Sequence, residues 1–208
     1  MSGRSRGRPR LEEVAGIENR LLKIALKEFL DQGYGGTSMT RIVQLAGVSK
    51  TTLYSRFPSK EKLFQAIMYQ QIKRIAPDRD LEAFEGAPDL EAGLKAYANR
   101  VLQLGLRGDL LGINRLIYSE SHRFPELGAA AAKRTQVGVG RIAKFIEECA
   151  EARGETCVDA RGAAETYILT LRGWYVDAML TNQKVPAAER QRWVDRAVRT
   201  LISSAAQW

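Results

Sequence analysis

One run of residues constrains this chain more than any other: SMTRIVQLAGVSKTTLYSRF, from Ser38 to Phe57. Ile42, Val43, Leu45 and Ala46 make a short amphipathic segment that runs into Gly47. A glycine there permits the left-handed turn that ends a helix. Val48 plugs the angle between this helix and the next, and Ser49 caps the second, which ends at Leu53, Tyr54 and Phe57. Short helix, glycine turn, capped helix: this is the grammar of a helix-turn-helix. The outer face of the second helix is Lys50, Thr51, Thr52, Tyr54 and Ser55. It offers donors, acceptors and methyl groups but little to bury. It suits a DNA major groove better than a protein core.

The flanking pattern is helical throughout. Ile17, Leu21, Ile24, Ala25 and Phe29 form one stripe of a helix over 16–32, which Gly33 ends. Thr37, Ser38 and Thr40 offer N-caps for the next helix, and Lys60-Glu61 opens another after the Pro58-Ser59 break. Pro77 and Pro88 bracket a polar linker. Further helices are predicted over 90–106, 108–121, 124–152, 159–180 and 187–205, with Pro125 in a favourable first turn and Asp159 as a cap. No alternating strand pattern appears. The expectation is an all-α protein of about nine helices, a three-helix helix-turn-helix domain plus a larger helical bundle. The divisions are a flexible basic arm over 1–14, the helix-turn-helix domain over 15–75 (motif 38–57), and a second domain over 76–208.

Charge divides the same way. Residues 1–74 hold 14 Lys and Arg against 6 Asp and Glu, and residues 75–208 hold 18 of each, so the whole excess of +8 sits in the first third. A basic helix-turn-helix joined to a neutral region implies that one part holds a polyanion while the other does something else. No apolar run approaches the ~18 residues of a membrane span. The arm MSGRSRGRPR has no apolar stretch behind it, so it does not read as a secretory signal. Cys149 and Cys157 read as reduced thiols of a cytoplasmic protein. One histidine and two cysteines give no zinc spacing, and no phosphate loop or nucleophile elbow occurs, so no catalytic residue, metal or cofactor is expected.

From Leu22 to Leu63 the chain resembles the DNA-binding domain of the TetR family of bacterial transcriptional regulators. The residues that carry this are Ala25, Phe29 and Gly33-Tyr34, then Thr37-Ser38, then Ile42 and Ala46-Gly47-Val48-Ser49. Thr52-Leu53-Tyr54, Phe57, Ser59-Lys60-Glu61 and Leu63 complete the string. The stretch Arg115 to Glu120 with Arg123 to Leu127 looks like one subgroup of the family's C-terminal domains. The resemblance implies a homodimer on a pseudo-palindromic double-stranded operator, most simply a repressor released by an unidentified small-molecule effector. It would be cytoplasmic and associated with the nucleoid, with no membrane partner. An activator, or an architectural DNA-binding protein without a ligand, is the alternative.

Specific residues follow. Lys50 opens the recognition helix and can donate to guanine or phosphate, while Thr51 and Thr52 can reach bases or phosphate. Tyr54 and Lys60 are the family's phosphate contacts. A lysine in a first helical turn opposes the helix dipole, a cost that makes sense if Lys60 faces a phosphate. Ser49, Thr37, Ser38 and Thr40 can cap, contact phosphate, or both. Arg41 and Arg56 read as solvated charges, and Leu53, Val48, Ile42 and Phe57 as core. Arg6 and Arg8, in Arg6-Gly7-Arg8-Pro9-Arg10, resemble a minor-groove AT-hook core.

In the second domain the helix over 159–180 is apolar on more than one side, so more than its own core must cover it. The dimer seam is expected at Ala164, Ile168, Leu171 and Tyr175, with Val194, Val198 and Leu201 of the last helix. Tyr118, Phe145, Tyr167, Trp174 and Met179 are the pocket residues expected for an apolar or mixed ligand, and His122 reads as a surface or capping residue.

Overall fold

A computed structural model describes residues 11–74, 89–182 and 184–204. Residues 1–10 of the basic arm, with Arg6 and Arg8, and the linker between Pro77 and Pro88 lie outside the described residues; residues 11–14, expected in the arm, begin α1. Among those residues there are nine helices and no strand: α1 Leu11–Gly36, α2 Met39–Ala46, α3 Lys50–Tyr54, α4 Lys60–Arg74, α5 Leu90–Gly105, α6 Gly108–Glu120, α7 Pro125–Ala152, α8 Ala160–Leu180 and α9 Ala187–Ile202. The all-α reading holds, and most predicted ends fall within a few residues of the observed ones. The larger difference is α1, which begins at Leu11 rather than near Gly16.

The chain forms two compact units that meet at Gln70 and Gln71, inside α4 and upstream of the boundary expected near residue 75. In the first unit, Leu21, Ala25 and Phe29 of α1 are buried with Ile42 of α2, Leu53 of α3 and Leu63 and Phe64 of α4. Phe64 lies edge-on to both Phe29 and Tyr34, with ring centroids 5.0 Å away in each case. Such edge contacts align positive ring edges with negative faces. The helical run of α1 breaks at Gly33, whose φ of 68° and ψ of 174° suit glycine alone.

In the second unit, α7 packs on α8 and α5 on α9. Their shared core includes Leu94, Tyr97, Leu102, Val139, Ile142, Tyr167, Leu171, Val194 and Val198. Asp159 caps α8 by accepting from Gly162 N at 2.8 Å. Arg115 of α6 serves its other end, donating to Met179 O at 3.0 Å and to Asn182 Oδ1 at 2.9 Å.

This core corrects the expected dimer seam. Ala164, Ile168, Leu171, Val194 and Val198 are all buried within one chain, Tyr175 is half-buried against the same core, and Leu201 packs on it. A seam must be exposed in the protomer before a partner can cover it, and the first five of these side chains are already covered, while Tyr175 and Leu201 are half-buried. The other side of α8 is open. Thr166, Leu169, Thr170, Gly173 and Leu180 recur at helical spacing on it. Leu169 is 51% and Leu180 74% exposed.

Candidate nucleic-acid interface and effector cavity

Helix α2 ends at Gly47, which is left-handed (φ 63°, ψ 34°) with its N–H turned back to the carbonyls of Val43 and Gln44. That closure lets the chain re-enter a helix within three residues. Ser49 Oγ accepts from Thr52 N at 3.0 Å and lies 2.8 Å from Thr52 Oγ1, so cap and hydroxyl are tied together. Leu53 is fully buried and anchors α3 from inside. The rest of the helix faces out: Ser49, Lys50, Thr51, Tyr54 and Ser55 are exposed and Thr52 is half-buried. The side chains of Lys50, Thr51 and Tyr54 have no hydrogen-bond or ion-pair partner among the described residues.

The other expected contact residues divide. Ser38 and Thr40 are exposed at the N-terminus of α2, and Ser38 makes no side-chain cap bond. Thr37 is buried, and its hydroxyl bonds inward to Gly33 O at 2.7 Å and Glu28 O at 3.2 Å. It locks the α1 exit loop, and its hydroxyl does not face outward, against the expectation that it meets DNA. Lys60 is half-buried. Its ammonium donates to Tyr34 O at 2.9 Å, Thr37 O at 3.1 Å and Gly35 O at 3.4 Å, and it sits 4.7 Å from the centre of the Tyr34 ring. Beside it, Tyr34 OH donates to Glu61 Oε1 at 3.0 Å. The Ser59 hydroxyl, the backbone N–H of Glu61 and Tyr34 OH together hold the Glu61 carboxyl below its usual range.

Two arginines expected to be solvated are paired. Arg41 donates to the buried Glu28 at 2.8 Å, and Arg56 to Glu18 at 2.6 Å. They fasten α2 and the end of α3 to α1. No local pattern signals these pairings, which join residues 13 and 38 positions apart.

The second unit contains a cavity of about 380 Å³ bounded by α5, α6, α7 and α8. Most of the wall is apolar, from Val101, Leu104, Leu110, Ile117, Ile168 and Leu171. Its polar groups are Tyr97, Asn114, Tyr118, Ser121, Arg134, Thr135, Arg172 and Tyr175. Asn114 Nδ2 donates to Tyr175 OH at 2.8 Å, and Tyr175 OH donates onward to Gly105 O at 3.3 Å. Burial pushes the Tyr175 phenol above its usual range despite that donor. Arg172 Nε donates to Tyr118 OH at 2.7 Å and Nη1 to Thr135 Oγ1 at 3.2 Å.

Of the five expected pocket residues only Tyr118 lines this cavity. Tyr167 is buried with its hydroxyl on Leu94 O, Met179 is buried elsewhere in the unit, and Phe145 packs on the core. Trp174 stacks on Trp193 at 4.8 Å. Tyr175, expected at the seam, is a wall residue instead. The missed polar residues are Tyr97, Asn114, Ser121, Arg134, Thr135 and Arg172. A signal existed for Arg172: with Ile168, Leu171 and Tyr175 it falls at i, i+3, i+4 and i+7, a cation inside an apolar stripe.

Comparison with known proteins places this geometry in a family. Residues 21–67 match the bacterial regulatory proteins of the tetR family, and residues 92–204 match the C-terminal domain of AefR-like transcriptional repressors. The chain belongs to the TetR family of transcriptional regulators. It is 43% identical over 96 residues to the transcriptional regulator RutR of Escherichia coli K12, covering 46% of this chain and 44% of RutR. The chain thus spans less than half the length of that relative. Among solved structures it resembles a Mesorhizobium loti chain assigned to the TetR family, at TM-score 0.76 and 27% identity, covering 91% of this chain and 96% of that one. It also resembles the flavonoid-responsive regulator FrrA, at TM-score 0.64 and 27% identity, covering 91% and 97%. No described helix is long and apolar enough to cross a membrane, and no described cluster of His, Cys, Asp and Glu could hold a metal.

Proposed function

We propose that this protein is a homodimeric repressor that binds a pseudo-palindromic operator and leaves it when a small molecule fills the cavity of the second unit. The outer face of α3 carries the reading. The side chains of Lys50, Thr51 and Tyr54 stand exposed, with no hydrogen-bond or ion-pair partner among the described residues, on a helix whose cap, Ser49, and anchor, Leu53, hold it in place. Lys50 enters the groove first, at the N-terminal end where recognition helices meet base edges. Thr51 and Thr52 read beside it, and Tyr54 donates to a phosphate. Ser38 and Thr40 bind phosphate at the start of α2. The ammonium of Lys60 holds the α1 exit loop in place for that strand. Arg6 and Arg8 extend the contact into an adjacent minor groove.

The open side of α8 is the dimer seam. Leu169 and Leu180, with Gly173 allowing close approach, would be buried against the same face of a second copy. The effector cavity is supported by its size and mixed wall. FrrA, named for its response to flavonoids, shows that a structural relative answers to small molecules.

The test is to mix the purified chain with sheared genomic DNA from its own source and sequence the retained fragments. A few dyad-symmetric sites, lost with Lys50→Ala, are the expected result. Hundreds of asymmetric fragments retained alike by both proteins would make it an architectural protein instead.

A further inference from the structure

The cavity wall has a property that apolar character alone does not explain. Among the described residues it contains arginine but no aspartate or glutamate. Arg172 is half-buried there, and its partners are two neutral hydroxyls, Tyr118 OH and Thr135 Oγ1, with the Tyr118 ring 5.5 Å from its guanidinium carbon. No ion pair links it to an acid among the described residues. A guanidinium has five N–H donors in a flat fork and remains charged at any working pH. Two are used. Two other arginines of the chain do have a carboxylate: Arg41 has the buried Glu28, and Arg56 has Glu18.

An unneutralised cation on an apolar, partly enclosed wall costs free energy unless something compensates it. The hydroxyls orient the fork without cancelling its charge. From this we infer that the effector is an amphipathic anion: a carboxylate on an apolar body, with the carboxylate on Arg172 and the body against Val101, Ile117 and Leu171. The inference rests on the effector cavity proposed above and deepens it by naming the ligand class. A carboxylate fits the fork with two parallel hydrogen bonds. The volume, about 380 Å³, lies near the lower end of the ~300–1,000 Å³ of small-molecule sites, which limits the body to one of modest size. Arg172 lies on α8 between Leu171 and Gly173, and Gly173 belongs to the open side of the same helix. A charge bound at Arg172 therefore acts on the helix proposed to form the seam.

The experiment is calorimetric titration of the full chain, without DNA, with two matched pairs: 2-naphthoate against 2-naphthamide, and decanoate against decanamide. In the wild type at least one acid binds about tenfold or more tighter than its amide, the scale of a desolvated charge pair. In Arg172→Met that preference falls below about threefold while the amide still binds, and Arg172→Lys restores part of it. Near-ultraviolet circular dichroism confirms that each variant is folded. If Arg172→Met fails to fold, Arg172→Lys and wild type decide the matter through the loss of bidentate preference. Equal affinity for acid and amide, no acid binding up to millimolar concentration, or an acid preference unchanged in Arg172→Met each overturns the inference. Because the readout contains no DNA, this result can fail while operator selection succeeds, and the reverse.

Discussion

Lys60 illustrates how one side chain can answer a problem set elsewhere in the chain. At the start of α4 an ammonium opposes the helix dipole. Here it is compensated from upstream, because the exit loop after α1 leaves carbonyls at Tyr34, Gly35 and Thr37 that need donors, and Lys60 supplies all of them. Hydrogen bonds to a charged group are worth more than neutral ones, so Lys60→Met is expected to lower the unfolding free energy by about 1–3 kcal/mol. Urea melts check this, and an unchanged midpoint would mean that water serves those carbonyls equally well. Glu61 adds a pH term. Its folded carboxyl is held below the usual value by Ser59, its own backbone and Tyr34. A depressed carboxylate contributes stability above its unfolded pKa, near ~4.3, that is lost as pH falls through the folded value. Melts at falling pH should therefore show a shallower acid decline for Glu61→Gln than for wild type, and parallel declines would remove Glu61 from the account. The residue scale was only partly legible in advance. Ser49 as a cap could be read because its partner is three residues away. The partners of Lys60, Arg41 and Arg56 could not, because nothing local encodes a contact made across 13 to 38 positions.

At the scale of the element, helix starts and ends were the clearest signal, since caps, glycines and prolines act where they stand. Asp159, Gly47 and Pro125 each mark an observed boundary. The face of α8 was harder. Its sequence shows apolar residues on two sides, and periodicity states that both are covered without stating by what. The denser stripe, from Ala164 through Leu171 to Tyr175, belongs to the protomer's own core, and the sparser one with Leu169 and Leu180 remains open. A core has to be closed for the chain to fold alone, so the stronger stripe is spent there. This separates two neighbouring substitutions. Tyr167→Glu places a charge inside the core, away from the cavity, and is expected to destabilise the fold by several kcal/mol, about 3 or more. Leu169→Glu should leave the melting curve of the isolated protomer nearly unchanged and shift the sedimentation coefficient from dimer to monomer at micromolar concentration. A Leu169→Glu protein that still sediments as a dimer would move the seam off this side of α8.

Across the whole molecule, the charge division and the two compact units fit separate tasks: a basic first third that presents α3, and a nearly neutral second unit that contains a cavity. Separate tasks make a switch only if they are coupled. A symmetric dimer on a dyad operator needs its recognition helices about 34–36 Å apart, one helical turn of DNA or somewhat more. A ligand that dissociates the complex must prefer a form that does not meet that spacing, and by linkage the operator must then weaken the ligand by the same factor. Couplings of this kind run to roughly 1–3 kcal/mol, or about 5- to 150-fold. The expected result is that a carboxylate found to bind the cavity binds at least about fivefold more weakly when the dimer is saturated with its operator, whereas a scrambled duplex of equal length has little effect. Low salt keeps the operator bound during the titration, because affinity for DNA falls steeply with ionic strength whereas binding within a partly enclosed cavity is less screened. Equal ligand affinity with and without operator would leave a DNA-binding unit and a ligand-binding unit in one chain with no free energy passing between them, and the repressor would then have to be released by some other means.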